Sequence, residues 1–242
     1  MAEENGSWIM SGYESFEEAP LKTVEDMLEY VKQVGFVPLF RNEIPGFSIE
    51  ELSYKHGWWG ENPQIDPWAF REYAASSKEV AYGKLFFGKA GFIAREYIPY
   101  FARVRRDGYD FDSRYEDGLA SRRCKMIMDT FEHVESLPSH ELKVAAGFGK
   151  GREKGFESTI NQLQMQTYLV VCGFTRKKNK IGEEYGWAAA NYTPCERIFG
   201  YDEVRSAYSM DLDEASKKIE DNLRKRFEGV DKKLANKVIF GK

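Results

Sequence analysis

The sequence predicts an α+β protein in which a winged helix-turn-helix domain follows a mixed N-terminal region and is closed by a C-terminal helix. Three observations predict it. In the first half, strand-like runs at residues 80–87 and 90–94 are joined by Gly88-Lys89, a two-residue hairpin signal set among helical segments. In the second half the order is helix, short helix, loop, helix, strand, basic turn, strand. Residues 211–240 then read as a helical pair with alternating charge.

Residues 1–20 form an acidic lead-in, and residues 21–112 a mixed α/β domain. Thr23 offers an N-cap with Asp26 three positions on. Val24, Leu28 and Val31 recur at helical spacing, and Gly35 stops the helix. Ser48 caps a single turn. Asp66 followed by Pro67 starts a helix that should run to about Ser76, because proline is tolerated at the first helical position. Residues 96–106 read as another helix, with Pro99 in its first turn. The domain boundary is expected between Gly108 and Gly118.

Residues 113–200 carry the winged-helix pattern, and residues 201–242 the C-terminal helical segment. Asp117 is placed to cap a first helix with the stripe Leu119, Arg123 or Cys124, Ile127, Phe131 and Val134. A short helix over 139–146 turns Leu142 inward. A loop of glycines and basic residues, 149–155, leads into a third helix from Phe156 to about Gln166. Strands are expected at 168–175 and 185–192, with a charged connector between them.

Composition narrows the function. Apolar residues make up 42% and charged residues 31%, which suits a globular chain. The N-terminus lacks a basic, then apolar, export signal, and no apolar run nears the ~20 residues of a membrane helix. Cys124, Cys172 and Cys195 are odd in number with no CxxC spacing, and only three histidines are present. Free thiols in a reducing cytoplasm, no metal and no cofactor are therefore expected. The net charge of −4 argues against indiscriminate coating of nucleic acid, but it hides an asymmetry. Residues 1–60 carry 4 basic and 11 acidic side chains, whereas residues 121–180 carry 11 basic and 6 acidic.

That basic segment points to double-stranded DNA. With Phe156, Ile160 and Leu163 inward, the third helix presents Ser158, Asn161, Gln162 and Met165, with Gln164 on the flank. Asparagine and glutamine pair bidentately with adenine in a major groove. Arg176, Lys177, Lys178 and Lys180 on the connector, with Lys150, Arg152 and Lys154 ahead of the third helix, suit phosphate contacts. A solvated loop on a protein–protein module is the competing reading. The run from Gln162 to Gln166 also has two readings: polar filling of an exposed helix, or glutamines that position a water.

Aromatic residues reach 15% of the chain and crowd the segment from Trp58 to Phe111. Trp58, Trp59, Trp68, Tyr82, Phe86 and Phe92 are either an aromatic core or the lining of a pocket for a flat group such as a flipped base. Glu61 and Asp66 flank the tryptophans as candidate general bases; the competing reading is a loop acid for Glu61 and, the better explanation there, a helix cap for Asp66.

Several strings resemble a bacterial group of short proteins related to the AlkZ-type DNA glycosylases: Asp66-Pro-Trp68, Ala81-Tyr-Gly83, Gly91-Phe-Ile93, Gly147-Phe-Gly149, Leu163-Gln-Met-Gln-Thr-Tyr-Leu169 and Glu184-Tyr-Gly-Trp187. The likeness runs from about Thr23 to Phe240. It implies a winged-helix scaffold on DNA. It also implies the chemistry of those glycosylases, which excise alkylated or cross-linked bases with a Gln-aliphatic-Gln motif. Gln162-Leu-Gln164 and Gln164-Met-Gln166 both fit that motif, so Gln162 and Gln164 become the candidate catalytic pair. The second expectation is a non-catalytic regulator whose aromatic N-terminal domain senses a small molecule or protein partner.

Overall fold

A computed structural model describes residues 2–4, 7–179 and 181–241, with the side chains of residues 2–4 and 7, Lys177, Lys178 and Trp187 left aside. Strands β1 (Ala2–Glu4) and β2 (Ser7–Ile9) form a separate antiparallel pair. Helix α1 (Val24–Val34) starts in the capping box of Thr23 and Asp26 and ends at Gly35, whose φ of 88° favours glycine. Strand β3 (Phe36–Pro38) and the turn α2 (Ile49–Leu52), capped by Ser48, follow. Helix α3 (Pro67–Ser77) is capped by Asp66 and has Pro67 at its first position.

Strands β4 (Val80–Phe86) and β5 (Lys89–Ala94) make the expected hairpin, with the turn one residue earlier than its sequence suggests. Phe87 and Gly88 occupy it at φ 54° and 67°. Two left-handed residues match the right-handed twist of the flanking strands, and Phe87 tolerates the cost. Helix α4 (Ile98–Arg106) follows a tight turn over Arg95–Tyr97.

The expected linker holds a helix instead, α5 (Phe111–Glu116), capped by Asp110. Helix α6 (Arg122–Thr130) is capped by Ser121 rather than Asp117, which leaves Leu119 outside the helix and exposed. Next come β6 (Leu137–Pro138), α7 (Ser139–Ala145), α8 (Phe156–Met165), β7 (Leu169–Lys178) and β8 (Glu184–Pro194). The short helices α9 (Cys195–Phe199) and α10 (Tyr201–Val204) precede α11 (Leu212–Arg226) and α12 (Lys232–Phe240).

The fold is α+β. Its larger sheet has the order β3-β5-β4-β7-β8-β6, and its pairings are antiparallel. The pairing of Tyr82 with Val171 joins the first hairpin to the second, so one sheet spans both halves of the chain. Burial follows suit. Phe36, Phe86 and Phe101 belong to the same apolar cluster as Ile127, Leu163, Ile219 and Leu223. Ile160 and Leu163 of α8 and Ile127 and Phe131 beside them are all buried, as their shared helical spacing predicts.

Two buried arginines at the end of α4 hold the helix ends in place. Arg105 donates to the carbonyls of Leu85 (2.8 Å), Met165 (3.1 Å), Val238 (2.8 Å) and Ile239 (2.9 Å). These include the last carbonyls of α8 and α12, which no residue of their own helix can satisfy. Arg106 donates to Thr167 O at 2.7 Å, stacks 4.4 Å from the Tyr168 ring and pairs with Glu196. The C-terminal end of α8, and the glutamine run within it, is thus fixed from below. Among the described residues, no helix is long and apolar enough to cross a membrane.

Candidate functional site

A cleft opens between α3 and the β7–β8 hairpin, and it consists of two recesses that share walls. The inner recess, about 420 Å³, has Tyr82 and Gly83 of β4, Val171 and Phe174 of β7, Tyr192 of β8 and Gln164 of α8 in its lining. The outer recess, about 640 Å³, has Trp59, Glu61, Asp66, Tyr73 and Arg176 in its lining. Trp68, Arg71, Phe174 and Ala188 border both. Both volumes lie in the range of about 300–1,000 Å³ usual for small-molecule sites.

The sheet dictates the inner floor. Phe92, Tyr82, Val171 and Tyr192 are successive partners across β5, β4, β7 and β8. Directly opposed residues of antiparallel strands point to the same face, so the two tyrosines share one surface. Burial pushes the Tyr82 hydroxyl up to about 12, against the opposing pull of Arg71. Burial likewise pushes Tyr192 up to about 12, with Glu157 and Tyr82 adding to it and a hydrogen bond with Gln164 opposing. Both hydroxyls are neutral donors at physiological pH.

Gln164 is buried rather than on an exposed flank. Its Oε1 accepts the N–H of Lys84 at 2.9 Å, and its Nε2 donates to Ile160 O at 3.2 Å. A Cβ at Gly83 would lie 2.9 Å from that Oε1, so glycine is what lets α8 approach β4 this closely. Gln162, two positions earlier, is exposed on the other side of α8. Residues at i and i+2 of a helix do not face each other, and the two glutamines cannot reach one ligand.

Arg71 forms the shared wall. Its guanidinium carbon lies 3.9 Å from the Trp68 ring centre and 4.2 Å from that of Phe174, a cation held between two aromatic faces. Nη2 meets Glu72 Oε1 at 3.1 Å, whereas Nε is buried with no acceptor in the protein. Arg71, Phe174 and Tyr192 are absent from the sequence-based candidates. The Trp68–Arg71 spacing of i, i+3 was the one local signal, because such pairs meet on a helix surface.

The aromatic candidates divide. Trp59, Trp68 and Tyr82 line the cleft. Trp58 is buried, its ring centre 5.8 Å from that of Phe40. Phe86 and Phe92 are fully buried core residues, Phe86 against Phe36 and Phe101. Asp66 is a cap: Oδ1 accepts from Trp59 N at 3.0 Å and Trp68 N at 2.8 Å. Burial raises its pKa, with those backbone bonds opposing the shift. Glu61 is exposed at the outer recess.

The nucleic-acid candidates lie elsewhere on the surface. Lys150, Arg152 and Lys154 are exposed in the loop before α8, and Ser158 is exposed in its first turn, where its hydroxyl donates to Gly155 O at 2.8 Å. Asn161 is half-buried, and its Oδ1 has no partner. Arg176 is exposed at the outer recess. The side chains of Lys177 and Lys178, and all of Lys180, lie outside the described residues. Among the described residues, no three His, Cys, Asp or Glu side chains come together as a metal site, and all three cysteines are free thiols.

Residues 21–240 match the family described as AlkZ related, and the chain belongs to that family. Neither a curated protein nor a solved structure matches it.

Proposed function

We propose that this is a winged-helix, DNA-binding protein linked to the recognition or repair of damaged bases. The observation that carries the reading is the junction of two features in one sheet. The first is the order α6, β6, α7, α8, β7, β8, with Leu137 and Pro138 of β6 paired to Tyr192 and Asn191 of β8. That order and that third-strand pairing are those of a winged helix, with α8 as the recognition helix and β7–β8 as the wing. The second is the aromatic cleft at the base of the same wing, which Trp68, Phe174 and Tyr192 line. Membership of an AlkZ-related family supports the same reading.

In this reading the wing basic residues and Lys150, Arg152 and Lys154 hold phosphates, while Ser158, Asn161 and Gln162 face the groove. A nucleotide turned out of the duplex enters the cleft, where aromatic faces replace the stacking it lost. Gln164 alone of the glutamine pair reaches that nucleotide. Its carbonyl oxygen retains one lone pair beyond the bond from Lys84, enough to accept from a base edge or a water, while its amide group is held by Ile160 and Tyr192. Glu61 stands at the outer recess as the general base that glycosidic hydrolysis requires.

The test is an electrophoretic shift with undamaged and alkylated duplexes, paired with an assay for released base. Retardation that favours the lesion, with base release, supports repair. Retardation confined to a defined operator, without release, points to the regulator. No retardation of any duplex overturns the DNA reading.

A further inference from the structure

Trp59 borders the outer recess in a backbone conformation that a bulky side chain rarely takes. Its φ is 57°, and its N–H is held at 3.0 Å by Asp66 Oδ1, the same oxygen that caps α3. The result is exposure. Trp58 beside it is 6% exposed, whereas Trp59 remains 36% exposed. Tyr73 of α3 borders the same recess and is 54% exposed. The hollow thus keeps two aromatic side chains in water, and a ligand with a flat face of its own would cover them. The partition towards the inner recess is aromatic as well. Trp68 and Phe174 border both hollows, and the Trp59 ring centre lies 6.1 Å from that of Trp68. Among the described carboxylates that border the outer recess, Asp66 accepts from Trp59 and Trp68, and Glu72 pairs with Arg71, which leaves Glu61. Arg176 borders the recess and is exposed, a cation within reach of a phosphate there.

We infer that the outer recess takes the nucleotide next to the extruded one, with Trp59 as its stacking platform and Tyr73 as a second face, so that the cleft binds two consecutive unpaired nucleotides of a DNA strand. This rests on the cleft being the base-binding site. Stacking on an aromatic ring asks only for a π-face, so the second nucleotide is accepted whatever its base, and the lesion is read in the inner recess. The preferred substrate is a lesion whose neighbour is also unpaired, because a paired neighbour must first give up its own pairing and stacking.

The experiment is fluorescence anisotropy of the whole protein with labelled duplexes that carry either one mismatch or two adjacent mismatches. The double mismatch should bind about tenfold tighter than the single one, the scale of stacking one further base on an aromatic ring. Easier opening of the duplex also favours the double mismatch, so the variants decide. Trp59→Gly removes the ring and suits the left-handed backbone, since glycine takes that conformation freely. It should erase the tenfold gain and leave the affinity for the single mismatch unchanged. Trp59→Phe keeps an aromatic face and should restore most of the gain. Thermal midpoints are read beside the affinities. If Trp59→Gly lowers the midpoint, Tyr73→Ala on the exposed side of α3 carries the test, and it should cut the same gain. A native protein that gains nothing from the second mismatch, or a gain that survives both Trp59→Gly and Tyr73→Ala, overturns the inference. In either case binding of the single-mismatch duplex leaves the broader reading standing. Failure to bind any duplex fells the DNA reading, and this inference with it.

Discussion

Gln164 Oε1 accepts the backbone N–H of Lys84, 80 residues away in sequence, at 2.9 Å. That bond fastens α8 to β4 beside the turn in which Gly88 and Phe87 reverse the chain. It also satisfies a strand N–H that would otherwise lack an acceptor, and it fixes the amide at the wall of the cleft. The same glutamine therefore serves the fold and the site, which shapes how its substitution must be read.

Gln164→Ala should destabilise the protein by about 1–3 kcal/mol, the cost of leaving a buried donor unmet. Gln162→Ala, on the exposed side, should stay within about 0.5 kcal/mol. Urea unfolding measures both. If the two variants unfold at the same midpoint, the buried bond is not formed. For any base-release activity, Gln164→Ala should lower the rate and Gln162→Ala should act only through DNA affinity. Equal loss of turnover in both, at saturating DNA, would contradict the single-glutamine reading.

The rotation of α8 is tested by a second pair. Leu163 is fully buried with Ile127 and Phe131, so Leu163→Ala should cost about 2–5 kcal/mol. Asn161 is half-buried with an unpartnered Oδ1, so Asn161→Ala removes an unmet group and should cost under about 0.5 kcal/mol. A larger loss from Asn161→Ala than from Leu163→Ala would invert the helix faces and take Ser158, Asn161 and Gln162 off the proposed DNA surface.

Lys177 and Lys178 end β7, paired in register with Tyr185 and Glu184. As wing-tip phosphate contacts they predict a specific salt effect. Replacing both with alanine should weaken binding to all duplex sequences alike and lower the salt slope by ~2, about one per lost contact. Filter binding over a salt series gives the slope. A slope that does not change would place the wing away from the phosphates.

What was legible in the sequence was local. Thr23 with Asp26, Ser48, and Asp66 before Pro67 all cap the helices they announce, because a cap needs only residues within one turn. The stripe Phe156, Ile160 and Leu163 gave the buried side of α8 for the same reason. Asp110 capping α5 carried an equally local signal, obscured by the adjacent Gly108 turn. Strand β6 is two residues long and has no period to read. The cleft was legible only in part. Trp59, Trp68 and Tyr82 stood out as aromatics, whereas Phe174, Tyr192 and Gln164 join them through the Tyr82–Val171 pairing, a contact between distant segments that no local pattern announces. The burial of Gln164 follows from that same pairing, since it depends on where β4 lies relative to α8.

The tyrosine floor gives a pH prediction whose sign is fixed. Tyr82 and Tyr192 are each pushed from the ordinary value of 10 up to about 12, chiefly by burial. A folded state that raises an acid's pKa holds the proton more tightly than the unfolded chain does. Above pH 10 the unfolded chain releases these protons first, so it binds fewer, and stability falls as pH rises. The contribution is fully present below pH 10 and is lost as pH climbs towards about 12. Urea midpoints measured from pH 9 to 12 should therefore decline, and Tyr82→Phe and Tyr192→Phe should each flatten the decline. Absorbance at the phenolate band offers a second reading, because the two floor tyrosines should titrate late. If a Phe substitution at either floor position left both the decline and the late titration unchanged, that hydroxyl would be solvated. The recess would then be wetter than a pocket for an extruded base requires.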